Sequence, residues 1–394
     1  NLHWDEWGEA GLSNPFDGFF NSSETNSNNL ISSLNISYEL FPNLRFKSNF
    51  GYTNFQSKEI LKRPKRSYNP LYWETSEHNS SHLDHVTSSW IVEPQLIYDK
   101  SFGKGNLNAI LGSSFQERNS TSAGITGEGY VAESLIGNLT AAEEILHGFI
   151  ETIEYRYAAV FGRLGAEWNE KYYINFTGRR DGSSRFGPGK RLAQFWAVGG
   201  AWIFSEENLF DPGGFLSFGK LRASYGTSGS DQIGDYGYLD AYEATPGPGG
   251  LYPTQLFNPN YSWEVNKKLE AALDLGFFKD RIRLDISWFQ NRSSNQLVGY
   301  NLPAITGFRS VQANLPATVE NTGVEVELST RNLDTENFTW ETFFNITLPS
   351  NELVHYPGIE QSSYANTYKV GEPLNISLLY QYEGLDPETG FYRV

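Results

Sequence analysis

The sequence predicts an all-β fold, an antiparallel transmembrane β-barrel, on three observations. Long runs alternate apolar and polar residues with period 2, the runs exceed the usual strands of soluble sandwiches, and very short and very long connections join them in turn. Period 2 sends successive side chains to opposite faces of a strand; on a helix the same order would smear apolar and charged residues around the circumference. A strand of about 10 residues at about 3.3 Å per residue, tilted about 45°, rises about 23 Å, which matches the apolar band of an outer membrane.

Residues 1–29 are polar, rich in Gly and Asn with isolated aromatics, and read as a loop. Strands follow near 30–40 and 43–56 around the turn Leu40-Phe41-Pro42-Asn43. In the second of them Leu44, Phe46, Ser48, Phe50 and Tyr52 share one face, and Arg45, Lys47, Asn49, Gly51 and Thr53 the other. A polar loop covers 57–84. Strands near 86–99 and 105–118 meet at Lys100-Ser101-Phe102-Gly103-Lys104, and the long connection 119–150 has room for one or two helical turns over 141–146. Strands near 152–168 and 171–180 turn at Asn169-Glu170, with Tyr172, Ile174 and Phe176 opposing Tyr173, Asn175, Thr177 and Arg179. The loop 180–192 leads to strands near 193–204 and 215–226, which flank Asp211-Pro212-Gly213-Gly214.

The longest excursion, 227–262, has Gly and Pro content that argues against a regular element. Strands near 263–277 and 281–291 meet at Phe278-Lys279-Asp280, with Ile282, Leu284, Ile286 and Trp288 opposing Arg283, Asp285 and Ser287. After the loop 292–318, strands near 319–331 and 337–348 turn at Asp334-Thr335-Glu336, and Val324, Val326 and Leu328 oppose Glu325, Glu327 and Ser329. A polar loop runs to about 373, and 374–382 is a candidate thirteenth strand. The expectation is thus a partial barrel of about 12 to 13 strands, with periplasmic short turns and extracellular long loops.

Composition agrees. Apolar residues are only 39% of the chain while aromatics reach 15%, a combination suited to strands that need one apolar face and to interfaces that attract aromatic rings. The net charge of −16, with no basic stripe, excludes a nucleic-acid partner. Without Cys there are no disulfides, thiolate metal sites or cysteine nucleophiles. His78, His82 and His85 have helix-like spacing, but in a Ser-, Asn- and Asp-rich stretch they read as solvated loop residues, so no metal is expected. No apolar run is long enough for a membrane helix. The absence of an initial Met and of a leader, together with the abrupt end near Phe391, reads as a middle piece of an exported precursor.

The run Asn175-Phe176-Thr177-Gly178-Arg179-Arg180-Asp181-Gly182-Ser183-Ser184-Arg185-Phe186-Gly187-Pro188-Gly189 resembles the SusC/RagA family of TonB-dependent outer-membrane transporters of Bacteroidetes. The resemblance continues through Phe218-Gly219-Lys220-Leu221-Arg222-Ala223-Ser224-Tyr225-Gly226, Asn258-Pro259-Asn260-Tyr261-Ser262-Trp263-Glu264, Asn321-Thr322-Gly323-Val324-Glu325, Val370-Gly371-Glu372-Pro373-Leu374 and Asp386-Pro387-Glu388-Thr389-Gly390. It implies the large plugged class of barrel, with residues 1–394 as a wall segment and the signal peptide, plug and final strands outside it. It further implies TonB-driven import of an oligomeric nutrient, with a SusD-like surface lipoprotein as a lid and a possible dimer of transporter–lipoprotein pairs. TonB is engaged through a missing N-terminal region. The substrate is an oligosaccharide or a peptide, glycan being favoured on family frequency. A siderophore or cobalamin receptor and a passive porin are the rival readings; no catalytic carboxylate pair is singled out, and no cofactor is expected.

The residues of these motifs read first as structure. Asp181, Gly182 and Gly187-Pro188-Gly189 reverse a loop, and Arg179, Arg180 and Arg185 can hold it through carboxylates or carbonyls. Gly323 opens a strand, where it permits either a bulge or a close backbone approach. Candidate substrate-binding residues are Asp231, Asp235, Tyr236, Tyr238, Tyr242 and Tyr252 of the longest loop, with Tyr261, Asp240 and Glu243 beside them, and a second set of Tyr68, Tyr72, Trp73 and His78. Aromatic faces cover sugar C–H surfaces and carboxylates accept hydroxyl hydrogen bonds, although interface belts and self-packed loops use the same residue types.

Overall fold

The computed structural model describes residues 4–9, 14, 16–208, 210, 214–245 and 249–393. Twelve strands form one sheet: β1 (Ser22–Phe41), β2 (Leu44–Arg63), β3 (Asn79–Phe102), β4 (Gly105–Glu128), β5 (Glu144–Trp168), β6 (Tyr172–Ser183), β7 (Leu192–Trp202), β8 (Leu216–Ser230), β11 (Glu264–Phe277), β12 (Ile282–Asn301), β13 (Ser310–Thr335) and β14 (Phe338–His355). The sheet follows chain order, and β8 pairs directly with β11. Between those two lies a small hairpin, β9 (Ala241–Ala244) with β10 (Leu251–Gln255), and near the end a second one, β15 (Gly384–Leu385) with β16 (Tyr392–Arg393).

The chain divides into two compact units, one holding Asn1–Ser37, Ser48–Pro94 and Ser114–Tyr157, the other Tyr38–Lys47, Gln95–Ser113 and Ala158–Val394. In the second unit the registers make the two faces explicit. Trp202 pairs with Leu221, Leu221 with Leu273, Leu273 with Ile286, Ile286 with Val326, and Val326 with Ile346, a continuous apolar row across six strands. One residue away, on the other face, Lys220 pairs with Asp274, Asp274 with Asp285, and Asp285 with Glu327. Lys220 Nζ lies 3.6 Å from Asp274, whose other oxygen is 3.4 Å from Arg222 Nε, while Arg222 also reaches Glu270 at 2.7 Å. An apolar face toward lipid and a paired polar face toward a lumen is the division a membrane barrel wall requires, since a charge turned to lipid costs about 2–4 kcal/mol at the midplane.

The apolar face ends in aromatic rings. Trp168, Tyr172 and Trp202 stand near the short turns, and Trp196 and Tyr225 lie toward the long loops, in an edge contact at 5.5 Å. Near the short turns Glu207 accepts from the Tyr172 hydroxyl at 2.5 Å and the Trp202 indole at 3.2 Å, while Lys171 approaches it at 3.5 Å. These contacts fasten the β5–β6 turn to the segment after β7. They also hold the Glu207 carboxyl below the usual range, first through the tyrosine hydrogen bond.

Two of the short turns use left-handed backbone without glycine, whereas the β3–β4 turn uses Gly103 at φ of 57°. Asn169 and Glu170 have φ of 54° and 57°, as a two-residue hairpin of the primed type needs, and Phe278, Lys279 and Asp280 have φ of 53°, 60° and 59°. The second turn is braced: Ser217 Oγ donates to Asp280 Oδ1 at 2.8 Å and accepts from Asp280 N at 2.9 Å, and Phe215 meets the Phe278 ring edge-on at 4.6 Å.

Several expected boundaries are corrected, mostly toward longer strands. β1 begins at Ser22, inside the expected 1–29 loop, and helix α1 (Trp4–Glu9) precedes it. The expected loop 57–84 shrinks to 64–78, 119–150 to 129–143, 180–192 to 184–191 and 292–318 to 302–309. Beyond the lipid band both faces of a hairpin meet water, so the ladder continues while apolar alternation stops. Residues 139–141 make a short 3-10 turn with Asn138 accepting from Thr140 N at 3.2 Å, and β5 already begins at Glu144, so the helical expectation over 141–146 fails. The excursion 227–262 does contain a regular element, the β9–β10 hairpin, with its Pro253 at a register irregularity. The candidate strand 374–382 is not a strand: it finds no ladder partner among the described residues. Asp386 instead turns the β15–β16 hairpin, accepting from the backbone N–H of Glu388 and of Thr389 at 2.9 Å each. Residues 211–213 of the Asp-Pro-Gly-Gly turn lie outside the described residues.

The main apolar cluster of the second unit sits where β13 and β14 extend past the band: Leu315, Ala317, Val319, Leu353, Tyr356 and Ile359. The chain after β14 folds back over it, with Gly371 N donating to Leu353 O and Leu353 N to Glu372 O, both at 2.9 Å. Gly323 is no bulge, since its pairing with Phe289 and Pro349 is regular; it is a close approach, where a Cβ would meet the Phe289 ring at 2.7 Å and Leu348 O at 3.1 Å.

Candidate functional site

The long-loop ends of β6 to β13 are knitted together in the second unit around four aromatic rings. Phe186, which is fully buried, packs on Trp263 at 5.2 Å and edge-on to Tyr261 at 5.9 Å, and Trp263 meets Phe195 at 5.8 Å. The Trp263 indole donates to Arg191 O at 3.0 Å, and Arg191 Nε returns the chain by donating to Phe186 O at 3.2 Å. Burial pushes the Tyr261 hydroxyl up to about 12.

Arginines and amides complete the framework. Arg185 Nε donates to Asp235 Oδ1 at 3.0 Å and its Nη1 to Asp231 O at 2.9 Å. Arg179 pairs with buried Asp181 at 2.5 Å and lies over the Phe161 ring at 5.6 Å; Arg180 is exposed, at the register position opposite Gln194. Asn258 donates to Gln312 O at 2.7 Å. Asn314 accepts from Ser262 N at 2.9 Å and donates to Ser262 O at 2.7 Å and to Asn295 O at 3.0 Å. Asn295, with φ of 60°, donates to Trp263 O at 2.8 Å. Sequence reasoning missed Asn295, Asn314 and Gln255, because an amide in the polar outer part of a strand carries no periodic signal and its partners lie well away along the chain.

On this framework the expected binding residues separate. Asp235 and the backbone of Asp231 are engaged by Arg185. Tyr238 packs its ring against Gly187, where a Cβ would stand 2.9 Å from it, and Tyr261 is buried. Tyr236, at φ of 60°, is exposed and its carbonyl accepts from Gln255 at 3.2 Å. Tyr242 and Tyr252 are the most open, on opposite strands of the β9–β10 hairpin, 56% and 44% exposed. Tyr252 donates to Glu243 and Tyr242 to Asp240, and these carboxylates raise both hydroxyls above the usual tyrosine range. The hairpin therefore offers two aromatic faces, each beside a carboxylate.

The second set lies in the other unit. The Trp73 indole donates to Tyr68 O at 2.9 Å, the Tyr68 hydroxyl accepts from Asn79 at 2.8 Å, and Tyr72 and Trp73 are exposed. Arg66 holds this loop through Glu133 at 3.1 Å and the Phe20 ring at 4.8 Å, and His78 Nδ1 accepts from Lys65 N at 2.8 Å. His82 and His85 are not loop residues: they sit on β3, where the odd spacing between them sends them to opposite faces. His85 hydrogen-bonds Ser122 at 2.8 Å and Thr87 at 2.9 Å, and His82 hydrogen-bonds Ser80 at 3.1 Å. Among the described residues no group of three or more His, Asp or Glu is arranged to hold a metal ion.

Comparison with known proteins gives these features a family. The "TonB dependent receptor-like, beta-barrel" family matches residues 3–387. The chain is 29% identical over 327 residues to TonB-dependent receptor P3 of Formosa agariphila, covering 81% of this chain and 32% of that protein. It is 26% identical over 389 residues to TonB-dependent receptor SusC of Bacteroides thetaiotaomicron, covering 91% of this chain and 38% of that one. The chain thus spans about a third of the length of these curated relatives. Its fold superposes on the RagAB peptide transporter with a TM-score of 0.84 at 23% identity, covering 97% of this chain and 43% of that chain. With the family matched over nearly its whole length and the membrane wall matched in three dimensions, the chain belongs to the TonB-dependent receptor β-barrel family, of the SusC/RagA type, and is a protein of the outer membrane.

Proposed function

We propose that this chain is the wall segment of a plugged transporter that imports an oligosaccharide across the outer membrane by TonB-dependent active transport. The observation that carries the substrate class is the β9–β10 hairpin, whose exposed Tyr242 and Tyr252 stand beside Asp240 and Glu243 on a loop tied down through Gln255. Rings of this kind cover the C–H faces of sugars, and carboxylates accept their hydroxyl protons. Tyr236 has the same chemistry, as do, by themselves, Tyr68 and Trp73 of the other unit. Asp231, Asp235 and Tyr238 contribute by holding the loop. The plug, the TonB-contacting region and the last strands belong to a longer chain, and a SusD-like lipoprotein covers the extracellular mouth, two such pairs associating as a dimer. The protein binds and moves its substrate without cleaving it.

The test is uptake by a strain lacking the full-length receptor, offered defined oligosaccharides and defined peptides, with and without TonB and the SusD-like lipoprotein. Loss of oligosaccharide uptake on deletion of the receptor or TonB, and a fall in uptake on deletion of the lipoprotein, are expected. Loss confined to peptides would overturn the substrate class, and TonB-independent diffusion would return the protein to the porins. Turnover of an oligosaccharide by the purified receptor would make it an enzyme.

A further inference from the structure

The apolar face of the second unit is interrupted by a groove of about 410 Å³. Leu96, Leu111, Leu164 and Phe176 wall it, 39–58% exposed, over a floor that includes Gly162 and Gly178. These residues belong to the same alternate sets as lipid-facing Trp168, Tyr172 and Ile174.

Neither floor glycine is required by the backbone or by packing. Both avoid the left-handed region; a Cβ on Gly162 would meet nothing closer than Ile110 O at 3.6 Å, and one on Gly178 only the Phe176 ring at 3.7 Å. The contrast is Gly112, where a Cβ would lie 2.6 Å from the Phe161 ring. A side chain is sterically welcome at 162 and 178, and its absence leaves a trough.

The trough has a polar end. Tyr98 lines it, and Lys100 is the next residue on the same alternate set, about 7 Å farther along. The turn that follows, Lys100-Ser101-Phe102-Gly103-Lys104, carries two lysines and no acid, whereas the turns at Asn169-Glu170-Lys171, Phe278-Lys279-Asp280 and Asp334-Thr335-Glu336 each carry at least one. Neither Lys100 nor Lys104 makes an ion pair among the described residues, while Lys171 is matched by Glu207. An apolar trough within the hydrocarbon band that ends at two unmatched cations at the interface has the form of a lipid: a chain below, an anion above.

We infer that the outward face of β3–β6 holds one glycerophospholipid, its acyl chain lying over Gly162 and Gly178 and its headgroup phosphate set against Lys100 and Lys104. The occupant follows from continuity with the membrane surface, since only acyl chains reach this depth from outside the wall. The paired lysines separate it from the rest of the surrounding lipid.

The experiment is native mass spectrometry of the full-length receptor, delipidated in mild detergent and offered phosphatidylglycerol. Retention of one molecule is expected, lost in Gly162→Leu and in Gly178→Leu, which fill the trough. It is unchanged in Gly200→Leu, a control whose Cβ would meet only Tyr173 O at 3.5 Å on the same face outside the groove. Lys100→Ala with Lys104→Ala removes the preference for phosphatidylglycerol over a neutral diacylglycerol. Heat-modifiable mobility on gels checks that each variant is folded. Equal retention by the folded groove-filled variants and the wild type overturns the site; retention that follows the trough but ignores the lysines overturns the headgroup assignment.

Discussion

Arg185 and Asp235 are joined by an ion pair of 3.0 Å across fifty residues of chain, and both side chains are largely withdrawn from solvent. The pair fixes the start of the longest loop to the loop after β6. Removing one partner takes the ion pair from the other in a largely buried place, although Arg185 still donates to Asp231 O, so the cost is at most about 3–5 kcal/mol. Arg185→Ala and Asp235→Ala in the full-length receptor should each expose residues 231–262 to limited proteolysis. The double variant should be less cleavable than the two single effects combined; strict additivity would mean that the pair is not coupled.

Tyr261 offers a pH readout. Its hydroxyl titrates near 12 when folded, above the ordinary 10, so the stability it lends is fully present below pH 10 and is lost as pH rises toward 12. In a 295 nm absorbance titration, the difference between wild type and Tyr261→Phe should show an ionisation about two pH units later than the exposed tyrosines. A difference centred at 10 would place the ring in water.

Glu207 works in the opposite direction. Its folded carboxyl lies below the ordinary 4.5, chiefly through the Tyr172 hydroxyl, so its contribution is present above that value and disappears as pH falls through the folded one. Thermal midpoints measured between pH 7 and 3 should converge for wild type and Glu207→Gln at the acid end and separate at neutrality. A constant gap at all pH values would remove the carboxylate from the argument.

Gly323 is crowded on two sides, by the Phe289 ring and by Leu348 O. The ring can turn away, the carbonyl cannot. Gly323→Val should therefore destabilise the wall by about 1–3 kcal/mol, the usual range for overpacking, read as a lowered midpoint of urea unfolding in detergent. Phe289→Ala in the same background should recover part of the loss, because the ring at 2.7 Å is the nearer obstacle while the carbonyl at 3.1 Å stays; no recovery would show that the carbonyl is the obstacle.

Tyr242 and Tyr252 are exposed, and neither ring supports the loop framework. Alanine at each should weaken oligosaccharide binding by about two- to tenfold, corresponding to roughly 0.5–1.5 kcal/mol for an aromatic contact, with no change in protease resistance. Calorimetry on the receptor with its lipoprotein partner measures it. Unchanged affinity in the double variant would move the binding surface elsewhere.

The sequence exposed the wall more fully than the loops, for a physical reason. Between Tyr172 and Thr177 lipid and lumen impose opposite demands on neighbouring residues, and the alternation records them. β3 and β4 run 24 residues each, and their outer halves, such as Ser80–His85, are largely polar on both sides, so little in the pattern marks them as strand. The loop-holding role of Arg185 could be read from its own surroundings, but its partner at Asp235 could not, because the pairing is set by how two distant loops fold together. Tyr261 and Tyr252 look alike as letters; one is sealed under Phe186 and the other stands in solvent.

The chain-order sheet also has a kinetic meaning. Because neighbouring strands are nearly always successive in the chain, each ladder closes over a short stretch, and little loop entropy is lost before the next hairpin adds to the last. Among the long ties, Trp263 to Arg191 across 72 residues and Asn258 to Gln312 across 54 belong to the loop framework, whereas Ser217 to Asp280 across 63 only follows the direct pairing of β8 with β11. Assembly can therefore proceed strand by strand through the wall, with the loop framework locking only after β13 has arrived.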